Sequence, residues 1–413
     1  MATGGQPILP SLLDPAVLAD PHALYRRLRA ERPCHWDASI GSWLVTRHAD
    51  VGTGYRDPAF TTKNYAWQLE PVFGRGLLQM DGREHARKRG LVNPHFRGKG
   101  AERWNGVIAR NAQALIERIV AVRVEALTAA QPVGAVEFCS QYAHQLPIAV
   151  IADVLGLPES DQPQFFAWYT AMIAFLSNLA GDPAVAAAGV RAKAEFDAYI
   201  TPFIEKRRAE PGDDLISAMC TAVVDGESLD DTEVRTHVTQ LLVAGAETTD
   251  RTLGNMIALL LIHPDQFEAV RDDRGLVPAA IAETLRHSPP SQMNARVLDR
   301  DVEIAGTAVP AGATVTLVIA SANRDERRFS EPDRFDIHRP DLSAERAFTA
   351  AGEHFAFGSG RHFCLGAMLA KAELEYSANA LLDRFPAMRL AEDFTPTFSG
   401  LKMRAVTELQ LLL

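Results

Sequence analysis

The chain has 413 residues, 47% of them hydrophobic, and a formal net charge of −10. That balance excludes the basic footprint a nucleic-acid-binding face needs and leaves ample apolar residues for a large core. No run approaches the roughly twenty apolar residues of a membrane span, and Met1 to Pro21 lacks the basic start and apolar core of a signal peptide. Four scattered cysteines (Cys34, Cys139, Cys220 and Cys364) show no framework spacing, which fits a reducing compartment. A cytoplasmic, predominantly helical protein with no linker, repeat or compositional seam is expected.

A helix opens near Asp81, and His85 and Arg89, four apart, project from one face of it. A much longer helical pattern starts at Asp230 and Asp231, which can cap it, and runs to His263 before Pro264 ends it. Its length of about 48 Å, at about 1.5 Å per residue, is enough to cross a whole domain. In its middle stands Ala244-Gly245-Ala246-Glu247-Thr248-Thr249, a poor helix interior. Gly costs about 1 kcal/mol there relative to Ala, and adjacent β-branched residues add a smaller penalty. The acid and hydroxyl, set between Leu241–Val243 and Ile257–Leu261, are costly unless paired or hydrated. The segment reads either as a solvent-facing polar turn or as a break in the ladder that admits water.

Pro278 to His287 is helical and carries Glu283 and Arg286, by themselves an exposed pair worth under about 1 kcal/mol. An extended stretch, Asn294 to Leu298, contains Arg296, and the charged run from Asn323 ends in Pro332-Asp333-Arg334-Phe335.

The most informative segment is Phe357 to Gly366, F-G-S-G-R-H-F-C-L-G. Cys364 lies between a glycine-rich turn and a helical run starting at Leu365. Backbone N–H groups at such a turn and at a helix N-terminus favour a thiolate. Gly358 and Gly360 let the chain bend, and Gly366 lets it pass close to something flat. An anionic sulfur presented this way suits the single axial ligand of a haem iron; the alternative is an ordinary buried thiol.

Phe357, Gly360, Cys364 and Gly366 fill every fixed position of the haem-thiolate signature of the cytochrome P-450 superfamily, which the chain resembles over almost its whole length. His362 is the choice typical of soluble bacterial members. The resemblance implies a mainly α (α+β) fold, the triangular prism of that superfamily, with a long central helix, a proximal cysteine-ligand loop and small β-sheets. It implies a single monooxygenase domain over residues 1–413, β-richer in its N-terminal part, with haem b bound through Cys364. By the same resemblance His85, Arg89, Arg296 and His362 hold the haem propionates, while Phe357, Gly358, Gly366, Ala244 and Gly245 pack on the cofactor. Thr248 becomes the hydroxyl beside the oxygen site and Glu247 its proton relay, with a widened helix turn at Gly245. Glu283 and Arg286 form an ionic lock completed by Arg334. The substrate pocket is expected to draw on Tyr65, Trp67, Phe73, Phe175, Met293, Asn294 and Phe398.

No G-x-G-x-x-G joins a strand to a helix and no reductase segment is present. Electrons from NAD(P)H are therefore expected through a separate ferredoxin and ferredoxin reductase, docking on Arg87, Lys88, Arg97, Lys99, Arg361 and Lys371. The implied activity is hydroxylation or epoxidation of an apolar small molecule by a monomeric enzyme. Peroxide-driven oxidation or oxidative coupling on the same fold, a haem sensor or carrier without turnover, and a scaffold without haem are the competing readings.

Overall fold

The computed structural model describes residues 9–128, 134–178 and 181–413. Helices make up most of it, arranged around the long helix Asp231–Ile262. Asp230 caps that helix in a reciprocal box with Glu233, and His263 closes it ahead of Pro264, the first residue of the next helix. From Thr252 to Leu260 every residue is buried, so the helix is walled in on all sides. Asn255, fully buried there, is satisfied by Ser288 O, to which its amide donates, and by the Val406 N–H, which its carbonyl accepts, both at 3.0 Å. Helices Gln145–Leu155, Pro183–Ala209, Val277–His287 and Ala367–Arg384 pack around it.

Gln162–Leu176 and Pro183–Ala209 lie against each other, joined by an aromatic cluster of Phe165, Trp168, Phe196 and Tyr199. The largest sheet has the order Cys34–Asp37, Ser42–Val45, Thr314–Leu317, Asn294–Leu298, Phe60–Thr61. Only Ser42–Val45 and Thr314–Leu317 run parallel within it. The two-residue period of a strand places Asn294 and Arg296 on one face of the sheet. Val315 and Leu317, directly opposite them, share that face and join a second core with Val45 and Phe60, whereas Ser42, Thr314 and Thr316 lie on the other face. Asn294, Arg296, Ser42, Thr314 and Thr316 all border the central cavity. Among the described residues no helix is long and apolar enough to cross a membrane.

Candidate active site

The cysteine loop is a tight, hydrogen-bonded turn. The Cys364 N–H donates to Phe357 O at 2.9 Å and the Phe363 N–H to Gly360 O at 3.1 Å. Gly358 and Gly360 take φ of +68° and +67°, and a Cβ on Gly360 would stand 2.7 Å from Tyr55 O, so only glycine fits there. The following helix runs Ala367–Arg384, two residues later than Leu365. Burial pushes the Cys364 thiol pKa up, and the Gly366 N–H and the Arg89 guanidinium act against that. The expected thiolate-favouring groups are therefore in place, but an added cation on the sulfur must offset the burial.

The sulfur faces a cavity of about 650 Å³, within the usual range for ligand sites. The long helix forms its opposite wall through Leu241, Ala244, Gly245 and Thr248. A Cβ added to Gly245 or to Gly366 would meet nothing within 4 Å. Phe357, Gly358 and Gly366 also line the space.

Four cationic or imidazole side chains converge on it, and among the described residues only His362 has an acid partner, Asp81. Arg296 is 5% exposed; it donates to the Tyr65 hydroxyl at 3.0 Å and its own neighbour's carbonyl, Ala295 O, at 2.8 Å. Arg89 donates to Arg361 O and Phe363 O. His85 is buried with Nε2 unpartnered among the described residues, and its ring lies 4.4 Å from that of His362. Burial first, then His362 and Arg89, lower its pKa to about 4. Buried cations and an orphaned ring nitrogen beside an apolar chamber demand anionic partners. A haem supplies two carboxylates, a flat apolar body for the Gly245 and Gly366 surfaces, and an iron for the sulfur, so these residues fit it.

Asp81 was read only as a helix start, yet it organises this side. Its carboxylate accepts from His362 Nε2 (3.0 Å), Arg361 Nε (2.7 Å) and the Thr62 N–H (3.1 Å). Although burial acts to raise its pKa, these bonds hold it well below the usual carboxylate range. An N-cap aspartate signals nothing of this from sequence, because its partners lie far away along the chain.

Three expectations are corrected. Arg334 does not complete the lock: its side chain is 61% exposed and pairs with Glu331. Arg339 takes that place, 3.0 Å from Glu283, while Arg334 contributes only its carbonyl to Arg286. The chain after Phe335 stays against the helix, with the Asp336 N–H donating to Glu283 at 2.8 Å, so Arg339, five residues beyond Arg334, reaches the buried carboxylate. Arg286 is bidentate to Glu283 at 2.7 Å and donates to Asn323 O; Asn323 Oδ1 in turn accepts the Phe355 N–H at 2.8 Å. The lock is thereby tied to the start of the cysteine loop.

Next, the long helix is unbroken at Gly245. The Thr248 hydroxyl donates to Ala244 O at 3.2 Å within the regular ladder. Glu247 is buried and ion-paired with Arg251 at 2.7 Å, one turn on, and so is neither solvent-facing nor unpaired. Finally, Tyr65, Phe175, Met293 and Asn294 line the cavity, whereas Trp67, Phe73 and Phe398 do not. Tyr65 and Gln68 occupy the inward face of a one-turn helix and leave Trp67 59% exposed. Phe73 is taken up by the main core, and Phe398 packs against it from a short strand pair.

Of the basic patch, Arg87 pairs with Glu227, Lys88 with Glu233, Arg361 with Asp81 and Lys371 with Glu375. Arg97 and Lys99 are exposed and, among the described residues, in no ion pair. They directly follow Asn93–Phe96, which packs on the helix that succeeds Cys364.

The comparisons with known proteins agree with this geometry. The family model described as Cytochrome P450 matches residues 47–400. The chain is 36% identical over 401 residues to pulcherriminic acid synthase of Bacillus subtilis (strain 168), covering 97% of this chain and 96% of that protein. It is 34% identical over 371 residues to cyclomarin C epoxidase CymV of Salinispora arenicola (strain CNS-205), covering 88% of each. The ligand-free structure of cytochrome P450 TbtJ1 matches with a TM-score of 0.84 at 31% identity, covering 98% of this chain and 99% of that one. The signature loop, the cation-ringed cavity and these matches together place the chain in the cytochrome P450 family, as a monooxygenase whose cofactor is a haem iron.

Proposed function

We propose that the 413 residues act as a single ferredoxin-dependent domain that hydroxylates or epoxidises an apolar small molecule of natural-product metabolism. The observation that carries this reading is that Cys364, Gly245 and Thr248 border one chamber, walled also by Leu78, Phe175, Leu176, Leu241 and Met293. When bound, the haem supplies the oxygen-activating and redox chemistry. Cys364 would hold its iron, and Arg89, Arg296, His85 and His362 would hold its carboxylates.

The chain's own contribution is positioning, exclusion of water and proton handling. Apolar walls orient the substrate and keep the chamber dry. The Thr248 hydroxyl stands on the cavity face, and exchanging its bond to Ala244 O for one to a ligand costs little. Glu247 stands one residue away and is held as a carboxylate by Arg251; swinging off that partner, it takes up a proton from solvent and passes it to the Thr248 position, returning to Arg251 as the carboxylate. The similarity to an enzyme named an epoxidase supports alkene oxidation as one outcome. Electrons arrive from NAD(P)H through a reductase and an acidic ferredoxin, for which Arg97 and Lys99 are the available cations.

Two measurements test this. Thr248→Ala should raise oxygen and NADH consumption per product formed, measured with surrogate ferredoxin and reductase; full coupling in that variant would favour peroxide-driven chemistry instead. Reversing Arg97 and Lys99 to Glu should slow ferredoxin-driven reduction without altering the visible spectrum, and unchanged reduction would remove the docking assignment.

A further inference from the structure

Among the polar side chains of the cavity wall away from the cysteine, two belong to the first half of the long helix. His237 and Gln240 stand three apart on the long helix, hence on one face, and both line the cavity. His237 is 4% exposed, and its Nε2 has no hydrogen-bond partner among the described residues. Burial pushes its pKa down to about 4, against a smaller pull from Glu233. Near neutral pH the ring is therefore uncharged, and Nε2 either donates or accepts.

The orientation of Gln240 follows from its neighbours. The Gly76 N–H donates to Gln79 Oε1 at 3.0 Å, and Gln79 Nε2 donates to Gly74 O at 2.9 Å. Those backbone groups fix which end of the Gln79 amide is oxygen. The same oxygen accepts from Gln240 Nε2 at 3.4 Å, so the Gln240 NH2 is committed to this loop and its Oε1 remains to accept. The loop approaches so closely that a Cβ on Gly76 would stand 2.4 Å from Gln240 Nε2. Around the pair the wall is apolar, formed by Leu69, Leu77, Leu78 and Leu241. Arg89 and Arg296 belong to the cofactor's carboxylates, and Lys402 lines the cavity only as an exposed residue. A substrate carboxylate beside His237 would thus be buried without a counter-ion.

We propose that His237 and Gln240 recognise a neutral secondary amide of the substrate, its N–H donating to Gln240 Oε1 and its carbonyl accepting from His237 Nε2–H. This deepens, and rests on, the reading of the cavity as the substrate site. Along the helix axis the pair lies roughly 7 to 12 Å from Gly245, so the amide anchors one end of the molecule and an apolar arm reaches the oxidising centre. An ester of the same shape leaves Gln240 Oε1 unpaired in an apolar wall, which is the kind of loss that discriminates strongly between substrates.

The test titrates the Soret band of the ferric holoprotein with a large-ring lactam, laurolactam, and with the lactone of the same ring size, in the wild type and in His237→Phe and Gln240→Leu. The wild type should bind the lactam about tenfold more tightly than the lactone, and either substitution should bring the two within about twofold. Equal wild-type affinities, binding of neither compound, or a lactam preference that survives both substitutions overturns the proposal. The wild-type comparison needs no variant, so it decides even where a substitution prevents folding. Absence of the Soret band itself would overturn the underlying reading of the cavity, which the titration distinguishes from failure of the amide assignment.

Discussion

The two walls of the cavity are held by different means. On the cysteine side the backbone is committed: positive-φ glycines, a closed turn and a buried ion-pair network leave little freedom. On the opposite side, Tyr65–Leu78 and the Gln162–Leu176 helix meet the chamber mainly through apolar side chains, whose contacts are non-directional. Chemistry that requires a fixed ligand sits on the first, and substrate fit, which can vary, sits on the second.

Breaking the first wall should have the largest effect. Glu283→Gln removes the carboxylate between Arg286 and Arg339, leaving the buried Arg286 guanidinium without an acid partner and Arg339 with Asp341 alone. A loss of about 3–5 kcal/mol is expected in thermal or denaturant unfolding of the holoprotein. Arg339→Ala should approach that loss, whereas Arg334→Ala should stay within about 0.5 kcal/mol; the reverse order would restore Arg334 to the lock.

Gly360→Ala should cost about 1–3 kcal/mol and loosen haem retention, because its Cβ meets Tyr55 O at a left-handed φ. Wild-type stability and haem content in that variant would show the turn to be less constrained than its geometry says.

A pH effect belongs to the same wall. His354 is buried just ahead of the loop with Nε2 unpartnered among the described residues, and burial lowers its pKa to about 4. In the unfolded chain the value is about 6.5. A depressed folded pKa contributes stability that is present above the unfolded value and lost as pH falls from about 6.5 towards 4. His354→Leu should therefore lose less Tm over that interval than the wild type, with parallel profiles contradicting the assignment.

The second wall should respond the other way. Phe175→Ala should change stability by no more than about 1 kcal/mol, since the side chain is only half-buried. Its effect should fall on ligand-induced spin shifts, with Kd values for apolar ligands rising about tenfold; an equal loss of stability would make Phe175 core rather than pocket.

The same division explains what was legible in the sequence. Cys364, Gly358, Gly360 and the caps of Asp231–Ile262 are local demands, met by residue type at fixed spacing, and could be read directly. His85, Arg89 and Arg296 became readable once the resemblance was recognised. The Arg339 for Arg334 exchange could not be read, because a loop's path decides which of two nearby arginines reaches a buried acid. Asp81 and the Gln79–Gln240 contact were hidden for the same reason, their partners being distant in sequence. Trp67 and Phe73 failed as pocket residues because aromatic composition does not say which side of a short helix faces inward.

The central claim is that Cys364 ligates a haem as its thiolate. The most direct test is the visible spectrum of the dithionite-reduced protein under carbon monoxide, wild type beside Cys364→Ser. The wild type should show the red-shifted Soret band of thiolate ligation, and the variant should lose it. A wild type without a Soret band, or the same band in both proteins, would contradict the account.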